Sequence, residues 1–90
     1  MAILLRDSGL SVEVTPRDPS GFTLLECYAL IGCTMIQRVR MADGRSMVMD
    51  EEAKLKPGQI INRRATELSG LAPYDVILGN VLICSRKEFK

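Results

Sequence analysis

Two adjacent arginines, Arg63 and Arg64, follow Asn62 in this 90-residue chain, and their placement defines the first chemistry open to it. Asn62 is an effective helix N-cap residue, so both arginines fall in the first helical turn, where free amides already disfavour cations by some tenths of a kcal/mol each. A helix selected for stability alone would carry acids there. Free N–H groups, an asparagine side chain and two guanidinium forks together make a receptor for a phosphate or carboxylate, and Lys54 and Lys56 add charge from the preceding loop. The candidate ligand-binding set is therefore Asn62, Arg63, Arg64, Lys54 and Lys56. The competing arrangement is internal: Asp50, Glu51 and Glu52 fold back and neutralise the same arginines with no ligand.

Other reactive groups are few. The chain has no histidine, which removes the usual nucleophile relays, the imidazole base and the histidine metal ligand. Cys27, Cys33 and Cys84 form neither a paired disulfide framework nor a C-x-x-C ligand set, and each sits among apolar neighbours, as a small buried side chain does. Consecutive carboxylates at 50–52 point in opposing directions on an extended chain and do not form a calcium loop, so no metal or cofactor is expected. Gly58 and Gly79 fit no phosphate-loop spacing. An enzymatic alternative is confined to Cys33 or Cys84 as a thiolate beside an arginine, or Asp50 with Glu52 as an acid/base pair.

Composition narrows the class. With 47% hydrophobic and 26% charged residues, the chain is expected to form one compact domain over 1–90. A domain of this size removes only about 60–65% of its unfolded surface from water, which favours a homo-oligomer, dimer or higher. A net charge of +1 supplies no global field for nucleic acid or membrane. Arg38, Arg40 and Arg45 make only a small basic strip, and two Tyr and two Phe without Trp give few rings for base stacking. The apolar start of the chain is too short for a signal peptide or membrane span, which points to the cytoplasm.

Several elements must position these groups. Residues 1–6 and the alternating 10–15 form neighbouring strands around Asp7-Ser8-Gly9. Thr23 and Glu26 have capping-box spacing before a helix with Leu24, Leu25, Tyr28 and Ile31 on its apolar face, ended by Gly32. A strand over 34–41 turns at Asp43-Gly44 into Ser46–Met49, with the methionines filling core beneath a helix. A charged surface connection leads to Pro57-Gly58. The second helix starts near Asn62, buries Ile61, Ala65 and Leu68, and ends at Gly70. Residues 74–84 form a long, near-continuously apolar central strand, with a bend at Gly79-Asn80. The resulting class is α+β: a mostly antiparallel sheet of about five strands in ββαββαβ order, with two helices packed on it.

Ile31-Gly32, Ala42-Asp43-Gly44-Arg45, the run Met49 to Lys56, Asn62 to Thr66 and Asp75 to Leu82 together resemble a family of small domains of unknown function carried by bacteriophages, plasmids and other mobile elements. The likeness covers nearly the whole chain, although Cys33 replaces the second glycine of a Gly-Gly pair and Asn80 replaces the family's usual aspartate. It implies a phage or mobile-element origin and supplies no activity, substrate or catalytic residue. The expected function is a small non-enzymatic binding protein, which sequesters an anionic nucleotide-like molecule or masks a host protein in the host cytoplasm.

Overall fold

In the computed structural model of the chain, which describes residues 2–70 and 75–89, both alternating segments close as antiparallel hairpins. β1 (Ala2–Leu5) pairs with β2 (Ser11–Val14), placing Leu4 opposite Val12 and Ile3 opposite Glu13. The Arg6 N–H donates to the Leu10 carbonyl at 2.8 Å and the Gly9 N–H to the Arg6 carbonyl at 2.9 Å. β3 (Ile36–Arg40) and β4 (Ser46–Asp50) join through the same turn, with Met41 N–H on the Arg45 carbonyl at 2.8 Å. α1 (Leu24–Ile31) separates the hairpins. A short 3-10 turn (Ala53–Leu55), α2 (Arg63–Ser69) and β5 (Val81–Cys84) follow β4. β5 inserts between the hairpins, antiparallel to both neighbours, and gives the sheet order β2-β1-β5-β4-β3. This is the α+β class and ββαββαβ order expected.

Strand alternation sends the two helices to opposite faces. Ala2, Val48, Leu82 and Cys84 share one face and bury Cys27 and Ile31 of α1 together with Phe22. Leu5, Met47, Met49, Val81 and Ile83 share the other and bury Ala65 of α2 with Met41 and Ile77. β5 contributes to both clusters, which is why all four of its residues are buried and its sequence is continuously apolar.

Several local expectations need correction. The apolar face of α1 is Cys27 and Ile31, whereas Leu24 and Leu25 are exposed. Thr23 caps α1 by accepting from the Glu26 N–H at 3.2 Å, but the Glu26 carboxylate accepts from the Arg17 N–H rather than closing the box. In α2 only Ala65 of the expected trio is buried; Ile61 and Leu68 face outward. Met35 is exposed while Met41, Met47 and Met49 are core. The last strand begins at Val81, not near residue 74, which with the rest of 71–74 lies outside the described residues. From 75 to 80 the chain pairs with the approach to α2: Asn62 N–H donates to the Ile77 carbonyl at 2.8 Å and Gly79 N–H to the Ile60 carbonyl at 2.9 Å. Gly79, at φ 79°, turns the backbone out of strand geometry just before β5 begins.

Candidate functional site

Asn62 anchors the start of α2. Its Oδ1 accepts the Ala65 N–H at 3.0 Å, as an N-cap does, while its Nδ2 donates to the carbonyls of Leu5 at 3.1 Å and Gly79 at 2.9 Å. The side chain is only 1% exposed and its polar atoms are consumed by the fold. It therefore positions the recess, which it also lines, and both hydrogens of its amide are already used within the fold. Thr66 extends the bracket by donating to the Asn62 carbonyl at 2.8 Å and accepting the Ile77 N–H at 2.9 Å.

Asn62 holds Arg63 and Arg64 at the mouth of an open recess of about 710 Å³. Both arginines are exposed, and neither forms an ion pair among the described residues. Ile60, Ile61 and Leu68 add exposed apolar surface, while Asp7, Ser8 and Gly9 of the first turn form the opposite wall. That wall is tied down by Asn80, whose Oδ1 accepts the Asp7 N–H at 3.1 Å. Asn80 was legible only as a bend; its contact with a residue 73 positions away had no sequence signal.

The lysines go elsewhere. Lys56 donates to Asp50 Oδ2 at 2.6 Å, and this hydrogen bond holds the ammonium above its usual pKa. The other Asp50 oxygen accepts the Glu52 N–H at 2.9 Å, so both oxygens of that buried carboxylate are engaged. Lys54 pairs with Asp75, whose carboxyl is held below its ordinary value by the lysine's hydrogen bond. Lys54 lines a separate recess of about 130 Å³ with Met49, Asp50 and Ile77. The expected five-residue set thus divides into an exposed arginine pair, a buried bracket and two lysines matched to acids. Among the described residues no acid of the run 50–52 forms an ion pair with the arginines, and Asp50 is committed to Lys56.

The three thiols are free and buried. Burial, followed by the nearby Glu26, pushes Cys27 up to about 11, and burial followed by Glu88 does the same to Cys84. Burial and then the Asp50 carboxylate also raise Cys33. Thiols raised in this way are poor nucleophiles at neutral pH. No helix among the described residues is long and apolar enough to cross a membrane.

The fold and this site define a small α+β domain with a helix on each face of an antiparallel sheet and, beside the second helix, a recess lined by Arg63, Arg64, Asp7, Glu67 and exposed apolar side chains. The chain matches DUF3846, a domain of unknown function, over residues 1–90, and belongs to that family. No curated protein and no solved structure matches it.

Proposed function

We propose that the chain is a stoichiometric binding module, not an enzyme, carried by a phage or other mobile element, and that it masks an acidic, partly apolar surface segment of a host protein. The observation that carries this reading is the composition of the recess: two exposed guanidiniums with no ion pair among the described residues, beside exposed Ile60, Ile61 and Leu68, with the carboxylates of Asp7 and Glu67 also in the lining. Guanidinium forks take carboxylates, and the aliphatic side chains supply the apolar contact that a free nucleotide would not fill. A nucleotide would instead call for a stacking ring, and none lines the recess. The recess walls are pinned by Asn62 and Asn80, so a partner meets a surface that is already formed. The resemblance of the motifs between residues 31 and 82 to domains of mobile elements supports the biological setting.

The test is selection from a displayed random peptide library, followed by titration of an enriched peptide. The expected winners combine Asp or Glu with Leu, Ile or Phe, bind more weakly as salt rises, and lose affinity at least about tenfold to Arg63→Ala/Arg64→Ala. Failure to enrich acidic peptides, or binding of ATP or cyclic nucleotides at this recess instead, would overturn the masking role.

A further inference from the structure

We infer that β2 is a self-pairing edge, through which two copies of this chain join their sheets about a two-fold axis at Val12. The two outer strands of the sheet differ. β3 carries Arg38 and Arg40 within five residues, the kind of charge that discourages strand addition, whereas β2 carries only Glu13. The hydrogen bond from Arg6 N–H to the Leu10 carbonyl sets the phase of the first hairpin: Leu4/Val12 and Ala2/Val14 exchange hydrogen bonds, and Ser11 and Glu13 direct their N–H and C=O groups outward.

The segment Leu10-Ser11-Val12-Glu13-Val14 is a palindrome in polarity, which is what a two-fold contact between identical strands requires. Centred on Val12, antiparallel pairing sets Val12 against Val12 of the second copy, Leu10 against its Val14 and Ser11 against its Glu13. The outward groups of Ser11 and Glu13 then meet each other. Shifting the centre to Glu13 would place two carboxylates face to face, and shifting it to Ser11 would leave Val14 without an apolar partner. Leu10, Val12 and Val14 lie on the α1 face of the sheet, and Leu10 and Val12 are 58% and 39% exposed. A cleft of about 470 Å³ between the end of β2 and α1 continues this surface through Leu30 to Leu25, which is 78% exposed. Because the axis is perpendicular to the sheet, both α1 helices fall on the same side, and Leu25 of each approaches the apolar strip of the joined strands. This surface is separate from the recess at Arg63 and Arg64, so the two proposals stand or fall independently.

Sedimentation and native mass of the full chain, from micromolar to submillimolar concentration, test the pairing. The expected species has twice the chain mass. Glu13→Pro removes an outward N–H without touching the β1 ladder, and Val12→Lys sets two ammoniums against each other; both should weaken dimerisation at least about tenfold while leaving the circular dichroism unchanged. Val12→Cys should form a disulfide-linked dimer under mild oxidation, since opposed residues at a non-hydrogen-bonded position lie close together, while Arg40→Cys on the other edge should not. A chain monomeric throughout, open-ended larger assemblies, a dimer indifferent to Val12→Lys, or cross-linking through Arg40→Cys would each overturn the proposal.

Discussion

Asn62 Nδ2 donates to the Leu5 carbonyl across 57 positions of sequence, so the first turn of α2 is fastened to the end of the first strand. The same side chain donates a second hydrogen bond to the Gly79 carbonyl and accepts one from the Ala65 N–H, which makes it a joint between three segments. Asn62→Ala should therefore cost about 3 kcal/mol, with a cap worth about 1 kcal/mol and two further buried hydrogen bonds, to the Leu5 and Gly79 carbonyls, worth about 1 kcal/mol each. Asn62→Ser keeps the cap and loses the donors, so its cost should be intermediate. Denaturant unfolding checks both, and a loss below about 1 kcal/mol for the alanine variant would refute the bracket.

Gly21 is the least replaceable glycine. Its φ is 125°, and a Cβ there would lie 2.5 Å from the Glu88 carbonyl oxygen, which accepts the Phe22 N–H. Gly21→Ala should cost at least about 2 kcal/mol from backbone strain and displacement of the C-terminal segment. Gly9→Asn, also at positive φ but in open space, should cost less than half as much. Equal thermal shifts for the two variants would contradict the close approach at Gly21.

The buried thiols impose an alkaline limit. Cys27 and Cys84 move from an ordinary value of 9.0 to about 11 on folding, so between those values the native chain retains protons that the unfolded chain has lost. Stability contributed this way is complete below about pH 9 and falls as pH rises towards about 11. Lys56, raised by its hydrogen bond to Asp50, adds a loss of the same sign that begins near its ordinary value of 10.5. Urea unfolding over this range should show the decline, and Cys27→Ala/Cys84→Ala should flatten its slope whatever the variant does to absolute stability. At neutral pH, iodoacetamide should label these thiols only as fast as the chain unfolds. Rapid labelling of the native protein would instead support cysteine chemistry.

Arg63 and Arg64 are exposed and form no ion pair among the described residues. Arg63→Glu should raise stability by about 0.3–1 kcal/mol through the favourable charge at the helix start, while removing part of the proposed peptide site. Thermal unfolding reads the first effect. A marked destabilisation would mean that the guanidinium serves the fold.

Lys54 lines the smaller recess and not the one at Arg63 and Arg64. Lys54→Gln should let the Asp75 carboxyl return upward toward its ordinary 3.8, observable by NMR titration, and should leave peptide binding at Arg63 and Arg64 unchanged. An unmoved Asp75 titration would dissolve the pair.

Local chemistry was legible from the sequence. Alternation at 10–15 marked a strand, Asp43-Gly44 a turn, and Asn62 and Gly70 the limits of α2, because each depends on backbone and side-chain preferences within a few residues. The placement of Arg63 and Arg64 in the first turn of α2 followed from the same reasoning, whereas their lack of an acidic partner did not. What the partners of Lys54 and Asn62 would be was decided only when β5 entered between the hairpins, bringing residues 75–80 back against the start of α2. The apolar pattern over 74–84 suggests one long strand, but hydrogen bonds to Thr66 and Ile60 hold 75–80 against the approach to α2 and leave only Val81–Cys84 in the sheet. Sequence spacing governs contacts made along one element; contacts between elements depend on which face each strand presents, and that was settled by the order of strands in the sheet.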